Sequence, residues 1–153
     1  MTLLQEMIAS HPFMKGVDPR FEHLFSECAT FTRYGIGDLI FREGQKAEHF
    51  YLIHTGRVVL ETFAPGVGEV TIQTLDSGEA LGWSWLFPPF TWHFSAKAVE
   101  PAELIAFGTA FLRERIEENP SFGRDLVLRV SQILLQRLQA TRLQLLDFYA
   151  PHL

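Results

Sequence analysis

The residues with the most chemical potential crowd into one stretch, Gly82-Trp83-Ser84-Trp85-Leu86-Phe87-Pro88-Pro89-Phe90-Thr91-Trp92-His93-Phe94-Ser95-Ala96. All three tryptophans of the chain lie here, with Ser84 and His93 as polar neighbours. Gly82, Trp83, Ser84, Trp85, Trp92 and His93 are therefore the candidate ligand-binding residues. Indole faces stack on flat molecules, while a hydroxyl, an imidazole and backbone amides supply hydrogen bonds. The same rings could equally be aromatic core, and the sequence leaves both roles open. Capture of an anion by charge has little support in this stretch. Between Arg57 and Arg113 the only lysine or arginine is Lys97. Alternation along a strand over 92–99 puts Lys97 on the face opposite Trp92, Phe94 and Ala96.

Catalytic chemistry finds less material. His49 and His54 are five positions apart on one strand, an odd spacing that sends them to opposite faces, so they do not grip one metal. His93 has no histidine or carboxylate two residues away, and His11 and His152 lie near the chain ends. No catalytic metal is expected. Cys28 falls at the end of a short helix among apolar residues with no evident base, and no Gly-x-Ser-x-Gly elbow occurs. Glu43 beside Gly44 reads as turn chemistry, and Glu117-Glu118 as a solvated helix face. The residues predict a binding or regulatory protein rather than an enzyme.

Bulk properties narrow the class. The chain has 153 residues, of which 47% are hydrophobic and 20% charged, with a net charge of −5. That length suits one domain able to bury its own core. No apolar run approaches the roughly 20 residues that cross a bilayer. The greasiest stretch, 81–90, contains Pro88 and Pro89. Glu6 stands where a signal peptide would carry basic residues. Cys28 is the sole cysteine, so no internal disulfide forms, and a cytoplasmic protein without membrane contact is the expectation. The acidic balance argues against direct binding to DNA, which needs a clustered basic surface.

Positioning the tryptophan stretch falls to the elements around it. Leu3, Leu4, Met7 and Ile8 recur at helical spacing until His11-Pro12. Asp18 then Pro19 read as the N-cap and first turn of a second helix burying Phe21, Leu24 and Phe25. From Ala29 the period changes to short β-type runs at 30–34, 39–42, 49–55, 57–63, 70–75, 92–99 and 102–107, each closed by a glycine or proline turn. Phe50, Tyr51, Leu52 and Ile53 are apolar in succession, which predicts a strand buried on both faces. Helical spacing returns after Gly108, with Thr109 as a candidate cap of a helix ending at Asn119. Pro120 opens a long helix of about 43 Å to Phe148 at 1.5 Å per residue. Its residues Val127, Leu134, Leu138, Thr141, Leu145 and Phe148 follow a heptad seam, which predicts a helix whose first half lies on its own roll and whose second half pairs with another copy. The fold class is mainly β with flanking α: an antiparallel β-roll of jelly-roll type (29–108), short N-terminal helices (1–28) and long C-terminal helices (109–153), together one domain over 1–153.

The ordered series of turns carries a family resemblance. Gly37-Asp38-Leu39-Ile40-Phe41-Arg42-Glu43-Gly44, then Phe50-Tyr51-Leu52-Ile53-His54-Thr55-Gly56-Arg57-Val58, resembles the first half of cyclic-nucleotide-binding domains of the Crp-Fnr regulator type. Asp76-Ser77-Gly78-Glu79, a short strand and Leu81-Gly82 are similar to the approach to that family's phosphate-binding cassette. The resemblance implies a stand-alone ligand sensor for a small-molecule effector, homodimeric through the long helix, with no DNA-reading module after it. It also implies a ribose glutamate at Trp83 and a phosphate arginine at Trp92. With tryptophan at both, cyclic AMP or cyclic GMP is not expected to bind in the usual way. A ligand-free dimeric scaffold of the same fold is the alternative. No cofactor is expected: haem, which some relatives use, would have only the lone His93 in this stretch.

Overall fold

The computed structural model describes residues 2–150; His152 and Leu153 lie outside them. Helix α1 (Leu3–Ser10) opens with a capping box in which Thr2 and Gln5 satisfy each other's backbone amides. A 3-10 turn at Pro12–Met14 follows. Helix α2 (Pro19–Glu27) starts on the Asp18 carboxylate, which accepts from the Arg20 amide, and buries Phe21 and Phe25. Eight strands come next: β1 (Ala29–Tyr34), β2 (Leu39–Phe41), β3 (His49–Thr55), β4 (Arg57–Ala64), β5 (Gly68–Asp76), β6 (Ala80–Leu81), β7 (Ser95–Ala98) and β8 (Ala102–Gly108). They pair antiparallel in two four-stranded sheets, ordered β1-β8-β3-β6 and β2-β7-β4-β5. Helices α3 (Thr109–Glu118) and α4 (Pro120–Tyr149) close the described chain. The β-roll with short N-terminal helices and a long C-terminal helix is the expected fold class.

Strand β3 divides the core. Phe50, Tyr51, Leu52 and Ile53 are all buried, and successive side chains on a strand point to opposite faces. Phe50 joins a helix-side layer, with Phe13 at 5.1 Å and Phe107 at 6.1 Å between ring centroids. Phe25 of α2 packs edge-on against Phe107 and Phe122. Tyr51 faces the other way, toward Phe41 at 6.0 Å. The β3–β4 hairpin needs Gly56: its φ is +98°, and a Cβ there would stand 2.4 Å from the Pro101 carbonyl.

Two local expectations change. The strand before 99 begins at Ser95, not at Trp92. Trp92 leaves the β7 ladder because its backbone pairs with a turn: its amide donates to the Gln45 carbonyl, and its carbonyl accepts from the Gly44 amide. Thr109 is the first helical residue of α3 rather than its cap, which is Gly108. Its buried hydroxyl instead donates to the Ala47 carbonyl at 2.8 Å.

Helix α4 divides along its length. Phe122, Gly123, Leu126, Val130 and Ile133 are buried, with Phe122 edge-on to Phe21 and Phe25. Its first half thus packs against the body of the domain through this apolar face. Beyond Ile133 the attachments are polar. Arg137 donates to the Ala80 carbonyl, and the Gln144 amide to the Ile72 carbonyl. From Thr141 onward every described residue is exposed.

Candidate functional site

The segment between β6 and β7 is the stretch singled out by its tryptophans. Gly82 follows β6 with φ +105°, and a Cβ on it would lie 2.6 Å from the Trp92 ring. Only glycine allows both that backbone and that approach. Trp92 is 3% exposed and lies flat on Phe41, centroids 3.6 Å apart and planes 8° from parallel. Tyr51, Phe41 and Trp92 therefore form an aromatic column inside the roll, with Gly82 against its end. The indole occupies the space beside the cassette glycine.

Trp85 belongs elsewhere. It is fully buried and tilts against Phe50 at 5.5 Å, on the helix side of β3. The Arg113 guanidinium donates to the Trp85 carbonyl at 2.8 Å and sits 4.5 Å over the Phe90 ring. The Trp85 Nε1 is buried without a hydrogen-bond partner among the described residues. Trp83 makes a third arrangement at the rim. It stacks on the exposed His93 at 4.8 Å, whose Nδ1 lies 2.8 Å from the buried Ser84 Oγ. The six candidate residues thus form two contacting groups, Gly82 with Trp92 and Trp83 with Ser84 and His93, while Trp85 anchors the segment to the opposite layer.

Lys97 is directed away from the cassette: it lies on the outer face of its sheet, 3.3 Å from Glu61, as strand alternation requires. Burial pushes the Cys28 thiol up to about 11, which leaves it a protonated, poorly nucleophilic group at neutral pH. The Tyr51 phenol is raised by burial and by Tyr34. His11 is lowered by burial, against the opposing hydrogen bond from its Nε2 to the Ile53 carbonyl. Among the described residues no group of three or more His, Cys, Asp or Glu converges to hold a metal.

The seam residues of α4 remain largely uncovered. Leu138 is 66% and Phe148 79% exposed, with Val127 and Leu145 exposed as well; Thr141 is exposed and Leu134 half-buried. No helix among the described residues is long and apolar enough to cross a membrane. Sequence reasoning passed over Phe41 as the partner of Trp92, although its place in the apolar strand Leu39-Ile40-Phe41 marked it as a core residue. It also passed over Arg137, one of four arginines of α4, which no local pattern set apart from the others.

Comparison with known proteins matches residues 31–119 to the cyclic nucleotide-binding domain, more than half of the chain. The chain belongs to the cyclic nucleotide-binding domain family. It is 22% identical over 144 residues to a CRP-like cAMP-activated global transcriptional regulator of Mycobacterium tuberculosis, covering 94% of this chain and 62% of that regulator's length. A cyclic nucleotide-binding domain from Methylobacillus flagellatus superposes with TM-score 0.82 at 18% identity, covering 98% of this chain and 86% of that one. The catabolite activator protein of Thermus thermophilus gives TM-score 0.68 at 28% identity, over 88% of this chain and 61% of that one. The relationship supports a regulatory sensor domain. Within the family's architecture, this cyclic nucleotide-binding domain carries an aromatic column beside its cassette glycine.

Proposed function

We propose that this chain is a non-catalytic regulatory domain that answers a small-molecule effector and pairs with a second copy through α4. Its cassette does not hold cyclic AMP or cyclic GMP in the family's usual way. The observation that carries this reading is the position of Trp92: its ring lies on Phe41 and against Gly82. A cyclic phosphate buried at that place would need donors and a countercharge. It would meet an indole instead; Lys97 is engaged by Glu61 on the outer face, and Arg113 is spent on the Trp85 carbonyl and the Phe90 ring. The apolar stripe through Leu138, Leu145 and Phe148 supports self-association, because a heptad seam is stable only when a partner helix covers it. The net charge of −5 supports action without direct DNA contact.

Intrinsic tryptophan fluorescence tests the cassette. Titration with cyclic AMP and cyclic GMP leaves the emission unchanged at micromolar concentration on this reading. A saturable change at those concentrations, abolished by Gly82→Ala, would mean that amides and aromatic faces replace the missing arginine. The scaffold alternative is favoured by the same filled cassette. It is separated by thermal denaturation, since any effector that binds the native state raises its melting temperature and a pure scaffold shows no such shift with any small molecule.

A further inference from the structure

A groove lies away from the cassette, between α4 and the β5–β6 turn. It encloses about 640 Å³, within the usual range for small-molecule sites. One wall is Gln132, Gln136 and Arg137 of α4, the other Gln73, Glu79 and Ala80, with Lys15 and Arg129 also contributing. The cations differ in how they are spent. Arg129 is fully engaged: it pairs with Asp125 at 2.8 Å and donates to the Phe13 and Lys15 carbonyls, each at 2.8 Å. Arg137 has one hydrogen bond, from Nη2 to the Ala80 carbonyl at 3.2 Å, and no ion pair among the described residues. A guanidinium carries five N–H donors, so most of its capacity is unspent. Burial pulls its pKa below the ordinary value, with Glu79 opposing, the mark of a charge short of water and partners. Glu79 is tied elsewhere, since its Oε2 accepts from the Asp76 amide at 2.6 Å. In a chain of net charge −5, a groove lined by Lys15 and a guanidinium with spare donors, Arg137, favours negative ligands.

We propose that this groove is an effector site for a small organic anion, whose phosphate or carboxylate group is held by Arg137 with Gln73, Gln136 and Lys15 around it. The proposal rests on the reading of the chain as a sensor with a filled cassette, and moves the ligand from the cassette to the face of α4. It also supplies the link to assembly. Arg137 immediately precedes Leu138 of the exposed stripe, and its bond to the Ala80 carbonyl ties the outer half of α4 to the roll. An anion that draws the guanidinium toward the groove changes that tie, and with it the angle at which two helices meet.

The test is a nuclear magnetic resonance titration of the full chain, amide-labelled, with inorganic phosphate and separately with citrate at constant ionic strength. Expected are saturable shifts at Gln73, Gly78, Glu79, Ala80 and Arg137 at millimolar concentration or below, larger for whichever anion class the site takes. Arg137→Gln weakens binding tenfold or more, the effect of losing a charge-assisted contact. Gln136→Glu, an exposed and fold-neutral change, weakens it severalfold by placing a like charge in the groove. Three results would overturn the proposal: silence with both anions, shifts outside these residues, or binding indifferent to Arg137→Gln and Gln136→Glu. Failure of the sensor reading looks different, because a cyclic nucleotide seated in the cassette shifts Gly82, Trp83 and Ser84 and leaves Gly78 to Ala80 unmoved.

Discussion

The cassette and the outer half of α4 are both rich in large apolar side chains, yet they meet opposite fates. In the cassette, Trp85 and Trp92 are at most 3% exposed and each lies against an aromatic partner from a different layer of the core. On α4, Leu138, Leu145 and Phe148 are more than half exposed, and Arg137 and Gln144 tie that half of the helix to the Ala80 and Ile72 carbonyls. Composition does not separate the two regions; neighbours do. A ring that fills the space beside a glycine contributes to the stability of one chain. A stripe with nothing over it can contribute only when another surface arrives. The difference teaches that two of the three tryptophans serve the core, while the helix keeps an apolar stripe open to a partner surface.

The largest expected effect would break the first half of that comparison. Trp92→Ala removes the indole from between Phe41 and Gly82 and costs about 3–5 kcal/mol in urea unfolding, as for other large core aromatics. A loss below about 1 kcal/mol, within the range of surface substitutions, would show that Trp92 is not core. Gly82→Ala comes next. It combines a φ of +105° with a Cβ 2.6 Å from the Trp92 ring, and about 2–4 kcal/mol is expected from backbone strain and overpacking together. Rescue by the double variant Gly82→Ala/Trp92→Phe would identify the ring clash as the main term.

The α4 side is sharpened by Leu138→Glu and Leu145→Glu. Because both residues are exposed, each changes the stability of the monomer by no more than about 0.5 kcal/mol. Sedimentation velocity should nonetheless show a shift from dimer to monomer; an unchanged sedimentation coefficient would remove the pairing proposal.

The smallest effect concerns His11, which fastens the first 3-10 turn to β3. Its Nδ1 accepts from the Phe13 amide and its Nε2 lies 2.9 Å from the Ile53 carbonyl. Phe13 and Lys15 in turn receive Arg129 of α4. Burial lowers the folded-state pKa of His11 below 6.5, so the unfolded chain binds the proton more readily. The resulting stability is fully present above about pH 6.5 and is lost as pH falls toward the folded value. Denaturant unfolding at successive pH values should show this slope in the native chain and a flatter one in His11→Asn. Equal slopes would place the pH dependence on another group.

Much of the architecture was legible in order along the chain. The glycine and proline turns marked seven strands, Asp18-Pro19 and Pro120 marked helix starts, and the four apolar residues of β3 predicted burial on both faces. Each of these signals is local: a turn type, a cap or a two-residue period is set by neighbouring residues. The candidate site was legible only as a place. The sequence put Gly82, Trp83, Ser84, Trp85, Trp92 and His93 in one segment, and placed Lys97 outward by alternation. Which way each indole turns was decided by tertiary structure, because Phe41 and Phe50 reach the segment from distant strands and from opposite faces of β3. Likewise the seam of α4 could be counted from its heptads. That Arg137 and Gln144 reach the roll from its outer half, beside a groove with an under-used arginine, follows from the approach of the β5–β6 turn, a contact over more than fifty residues that no local pattern encodes.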